Sequence, residues 1–94
     1  MKRSTVSPTY VPAADALTSA VGDEMVIMDL RSEKYFGLNR SGAIVWAGLE
    51  GGSPLSEIAA RLAERFDVAA ERAERDVADL VDELLRAGLV QATE

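Results

Sequence analysis

Met25-Val26-Ile27-Met28-Asp29-Leu30-Arg31-Ser32-Glu33-Lys34-Tyr35-Phe36-Gly37-Leu38 is the stretch that decides the fold. An apolar run ends in a charged turn, Arg31 to Lys34, and a second apolar run follows. Two short runs rich in β-formers, joined by a polar turn, predict a hairpin. Period-2 alternation puts Val26, Met28 and Leu30 on one face of the first strand. On the partner strand Phe36 and Leu38 share a face, and Tyr35 and Gly37 point the other way. Upstream, Tyr10-Val11-Pro12 lies between prolines and predicts at most an edge strand. Ala13 to Gly22 shows no clear pattern, and residues 1–9, polar and interrupted by Pro8, predict a flexible tail.

Downstream the period changes from two to 3.6. Asn39 is a candidate N-cap, with Ser41 a second one, for a helix that carries Ile44, Val45, Trp46 and Leu49. Gly51-Gly52 stops it. Ser53-Pro54 predicts a restart, a hydroxyl cap followed by Pro at the first helical position. Leu55, Ile58, Ala59, Leu62 and Phe66 recur at three- and four-residue intervals, so this helix is amphipathic until Asp67-Val68 breaks it. A third helix is expected from about Ala70 to Ala87, with an apolar stripe of Val77, Leu80, Val81, Leu84 and Leu85 and with Gly88 past its end. Glu71 and Glu74 in its first turns and Arg86 in its last complement the helix dipole. Leu89-Val90 is placed to pack back on the core. The pattern is a hairpin, with room for a third strand, followed by three helices.

Composition narrows the function. Ninety-four residues with 48% apolar and 28% charged side chains suit one soluble domain with a modest core, read here as residues 10–92. There is no apolar run of roughly 18 residues to span a membrane. Met1-Lys2-Arg3-Ser4-Thr5 has no apolar segment behind it, so no secretory signal is read and a cytoplasmic location is expected. Cysteine and histidine are both absent. That removes Cys/His zinc sites, Ser-His-Asp triads and Cys-His dyads together, leaving carboxylates, Lys2, Lys34, the tyrosines or a borrowed cofactor for any catalysis. No catalytic residue, metal ligand or cofactor is assigned. Sixteen acids against ten bases give a net charge of −6, which disfavours nucleic acid and suits a basic partner or plain solubility.

Three signals need weighing. A strand pair with three helices outlines a winged helix-turn-helix, whose third helix would enter a DNA groove. From residue 70 onward, however, seven acids face three bases, a net of 3 − 7 = −4 that phosphates would repel. Asp76, Asp79, Asp82 and Glu83 spread around that helix and read as a solvated face rather than an acid–base site. Asp76 and Glu83 are the exceptions, because both fall on the flank of the stripe beside Leu80 and Ala73. Tyr35, pointing away from the core, is either an ordinary half-buried tyrosine or the mark of an open sheet edge that accepts another chain by β-augmentation. Gly37 on the same face would let a guest backbone approach. Trp46 reads as core.

The ordered set Met28-Asp29-Leu30, Tyr35-Phe36-Gly37-Leu38-Asn39, Ser41-Gly42-Ala43, Trp46, Gly51-Gly52-Ser53-Pro54, Glu57-Ile58, Phe66-Asp67-Val68, Asp76-Val77, Leu80, Leu84 and Gly88-Leu89-Val90 resembles the PqqD-like family over residues 11–92. The resemblance implies an α+β, winged helix-turn-helix-like fold with a three-stranded antiparallel sheet followed by three helices. It implies a recognition element for the leader segment of a ribosomally made precursor peptide, which adds as a strand beside the third helix. Carried onto this chain, the docking strand is Lys34, Tyr35, Phe36, Gly37 and Leu38, and the helix wall is drawn from Arg72, Asp76, Asp79, Leu80 and Glu83. The acids would meet Lys or Arg of the leader, and apolar groove residues would seat its hydrophobic anchors. Ala69 departs from the family pattern, where a Ser or Asp cap is usual. The short free-standing form looks most like the leader-binding proteins of lasso-peptide biosynthesis, with a leader peptidase and a macrocyclase as partners. A peptide chaperone for a radical SAM enzyme is the alternative.

Overall fold

The computed structural model describes residues 9–93. The expected tail falls, apart from Thr9, outside the described residues. Chain order is β1 Tyr10–Pro12, β2 Ala16–Val21, β3 Glu24–Asp29, β4 Lys34–Leu38, α1 Arg40–Glu50, α2 Leu55–Phe66, α3 Ala70–Arg86 and β5 Val90–Ala92. Strands β2, β3 and β4 form the expected three-stranded antiparallel sheet, in that order. Beyond the pattern in the sequence, β1 and β5 form a second, two-stranded antiparallel sheet pairing Tyr10 with Ala92 and Pro12 with Val90.

The register fixes which face is which. Met25 pairs with Leu38 and Ile27 with Phe36, and these four turn toward the helices. Val26 and Met28 do share a face, as the period requires, but it is the outer one, opposite Gly37 and Tyr35. β2 extends that outer face with Leu17 beside Met28 and Ser19 beside Val26. Almost all of β2 is exposed, so its sequence carries no alternation to betray a strand.

Ile27, Trp46, Leu49, Ile58 and Leu84 are fully buried and centre the core, with Val45, Val77 and Val81 beside them. Leu89 and Val90 fold back onto it as expected, and Ala73 joins the α3 stripe. Leu85, assigned to the stripe, is instead exposed on its outer flank. α1 is capped by the Asn39 side chain, which accepts from the Gly42 N–H. α2 differs from expectation. Pro54 itself is the cap residue, no side chain caps the helix, and the Ser53 hydroxyl accepts from Arg61 instead. α3 ends at Gly88 with φ +76, where the Leu89 N–H donates to the Leu84 carbonyl and the Gly88 N–H to that of Leu85. That double bond pattern is a Schellman stop and needs the left-handed conformation glycine adopts freely. Among the described residues no helix is long and apolar enough to cross a membrane.

Candidate peptide-binding cleft

β4 is an edge strand. β3 occupies one side of it, and no strand among the described residues takes the other. An unpaired edge presents a row of backbone N–H and C=O groups that can template another chain. Beyond the open edge lies a groove of about 500 Å³ between β4 and α3. One rim is Phe36, Gly37 and Leu38 of β4, and the other is Asp76, Asp79, Leu80 and Glu83 of α3. Val45, Leu62 and Gly42 close the groove from below. Its floor is therefore core, and its helical rim carries three carboxylates, with no basic side chain among the described residues that line it.

Seven of the ten expected site residues meet at this groove: Phe36, Gly37, Leu38, Asp76, Asp79, Leu80 and Glu83. Asp79 lines it together with Asp76 and Glu83, the two acids singled out by helical geometry. Arg72 does not line it. Its Nε lies 3.7 Å from an Asp76 carboxylate oxygen, one turn on, and it borders an adjoining hollow with Arg40, Phe66 and Val68. Lys34 and Tyr35 line a smaller hollow farther along β4, with Asp29, Ser32, Ala87 and Leu89. Tyr35 is 70% exposed, so the half-buried reading does not hold. It sits on the outer face, away from the acidic rim of α3. The floor residues Gly42, Val45 and Leu62, and Asn39 and Ser41 at the groove's end, went unassigned in the sequence. Their signal was the absence of any loop between Leu38 and the cap Asn39, which brings the first turn of α1 against the strand's end.

The acids differ in how far they are already neutralised. Asp76 pairs with Arg72, and Asp82 pairs with Arg86 at 2.9 Å. Asp79 and Glu83 have no ion pair among the described residues, which leaves their charge available to a guest. At the other end of β4, Asp29 is nearly buried and heads the turn. The Arg31 backbone N–H donates to its carboxylate at 3.1 Å and holds its pKa below the usual aspartate value. The Ser32 hydroxyl, at 3.0 Å, and the Arg31 guanidinium act in the same direction against partial desolvation.

An α+β fold with an open strand edge set against an acid-rimmed helix defines a class of small recognition domains built for an extended guest. The sequence family described as Coenzyme PQQ synthesis protein D (PqqD) matches residues 24–90, well over half of the chain. The chain belongs to that family. Two solved structures share its fold over almost their full length. One is described as TbiB1 in complex with the TbiA(β) leader peptide, at TM-score 0.83 and 26% identity, covering 89% of this chain and 98% of that one. The other is lasso peptide synthetase B1 complexed with the leader peptide, at TM-score 0.81 and 28% identity, covering 87% and 96%. No curated protein sequence matches.

Proposed function

We propose that this chain is a non-catalytic adaptor that binds the leader region of a ribosomally synthesised precursor peptide and presents it to maturation enzymes. The observation that carries the reading is the open edge of β4 lying along a groove with an apolar floor and a carboxylate rim. A guest strand there would gain main-chain hydrogen bonds from β4, seat alternate apolar side chains over Val45 and Leu62, and set Lys or Arg opposite Asp79 and Glu83. Residues 10–92 act as one recognition domain in this account, working in the cytoplasm. Both structural relatives hold a leader peptide, and the one described as a lasso peptide synthetase favours a lasso-peptide pathway; in that pathway a separate leader peptidase and a macrocyclase would be the partners. A second reading, a peptide chaperone for a radical SAM enzyme, is compatible with a family described by coenzyme PQQ synthesis.

A DNA-binding role fits poorly. Two of the three bases of α3, Arg72 and Arg86, are engaged by acids of the same helix, and phosphate binding depends on free cations. Titrating the protein into fluorescein-labelled leader peptides of precursors encoded beside its gene tests the proposal. Saturable anisotropy change with one leader, and none with its scrambled sequence, is expected. No binding above the scrambled control for any of them overturns it.

A further inference from the structure

β4 and α3 must stand a strand's width apart for a guest to enter, and one cluster ties them together at the Lys34 end of the cleft. Arg31, in the turn that leads into β4, donates from Nη2 to the Gly88 carbonyl just past α3, at 3.3 Å. Its Nε lies 3.5 Å from Asp15 and 3.7 Å from Asp29. Asp29 in turn accepts from the Arg31 backbone N–H and the Ser32 hydroxyl, and the Leu30 N–H donates to the Asp15 carbonyl at 3.0 Å. Three segments thus converge on one guanidinium carried by the turn: the β1–β2 connection, the end of β3 and the end of α3. Among the described residues, Arg31 is the one side chain whose polar contacts link the strand side of the cleft to the α3 side. A Cβ at Gly88 would stand 2.8 Å from Arg31 Nη2, so a side chain there would push the guanidinium aside. The hollow lined by Lys34 and Ala87 lies alongside.

We propose that Arg31 is a positioning residue that sets the width of the cleft between β4 and α3, so that releasing it weakens guest binding without removing a guest contact. This inference rests on the leader-binding reading for its affinity arm only. Its chemistry is that of preorganisation. A cleft already held at strand width spends less free energy on ordering when the guest arrives.

The test uses Arg31→Met, which keeps the length of the stem and removes the donors and the charge, and Asp15→Asn as a milder release. The chain has no cysteine, so Lys34→Cys with Ala87→Cys accepts nitroxide labels at these two positions alone, and pulsed electron resonance reads the cleft width without a guest. Expected is a broader, longer distance distribution in Arg31→Met, with a smaller change in the same direction for Asp15→Asn. Affinity for the leader peptide should fall about tenfold in Arg31→Met. That loss should be the same, within about twofold, for leader variants truncated to Ala one residue at a time, because a positioning effect is additive with guest changes. A residue that merely stabilises the fold would lower the unfolding midpoint read from Trp46 fluorescence and leave width and affinity unchanged. That outcome overturns the proposal, as does a loss of affinity confined to one guest side chain. If the wild-type protein binds no leader at all, the adaptor reading fails, while the width measurement still decides the role of Arg31. Should Arg31→Met not fold, Asp15→Asn carries both readouts, and an unchanged distance distribution in it overturns the proposal.

Discussion

At the scale of single residues, Gly88 and Asp29 make the sharpest demands. Gly88 combines φ +76 with a neighbour where a Cβ would go. Gly88→Ala should therefore destabilise by about 1–2 kcal/mol, read as a lower denaturant midpoint in Trp46 fluorescence. Asp29 gives a pH dependence of known sign. Its folded pKa lies below the ordinary value of 3.8, so its ionised form adds stability above that value, and the contribution is lost as pH falls through the lower folded value. Asp29→Asn should weaken the fold at neutral pH and flatten the loss of stability as pH falls below the ordinary aspartate value, measured by denaturant melts at each pH. An equally steep acid loss in the variant would assign the titration elsewhere. Neither role was legible in the sequence. Gly88 was readable as a helix stop, but its contact with Arg31 joins positions 57 apart, and Asp29 reads in one dimension as an ordinary turn residue.

At the scale of elements, the helices and the β3–β4 hairpin were legible because their signals are local. Asn39 caps α1, Gly88 ends α3, and the apolar spacing of α2 and α3 predicts their buried faces. Three things were hidden, each for a physical reason. β2 is exposed along nearly its whole length, so no face of it is written in apolar residues. β1 and β5 pair across some eighty residues of chain. Which face of β3 is inner depends on the pairing of Ile27 with Phe36, and alternation alone cannot supply that. The same period yields a prediction for β4. Proline placed in turn at positions 35, 36 and 37 removes an inward or an outward N–H according to parity. The outward parity should abolish guest binding and leave the Trp46 unfolding midpoint close to wild type, whereas the inward parity should lower that midpoint. On the facing helix, Asp79→Lys with Glu83→Lys should slow association by about tenfold and reverse its salt dependence, seen in stopped-flow binding, with little change in stability. Leu80→Ala should cost the guest about 1–2 kcal/mol, whereas Leu84→Ala, fully buried, should cost the fold about 2–5 kcal/mol.

At the scale of the molecule, function follows from what the fold leaves unpaired. The helices bury one face of the sheet, the two-stranded β1–β5 sheet ties the described ends of the chain together, and among the described residues β4 is left without a neighbour on one side, beside a rim of carboxylates. Helical geometry set the Asp76–Glu83 flank of α3 at the rim of the sheet, opposite the edge at Tyr35; that Phe36 to Leu38 rather than Tyr35 border the groove, across an apolar floor, is a fact of tertiary packing. The floor was invisible because Val45 and Leu62 are ordinary core positions on two different helices, and only their packing makes them the base of a groove. The central claim is that a leader peptide occupies this groove as an added strand. Amide hydrogen exchange with and without a saturating leader peptide reads this most directly. The account predicts new protection in residues 34–38, a smaller increase along 76–83, and none along β2 at 16–21, the other edge of the sheet among the described residues. Protection that falls on β2 and leaves 34–38 exchanging as in the free protein would contradict it.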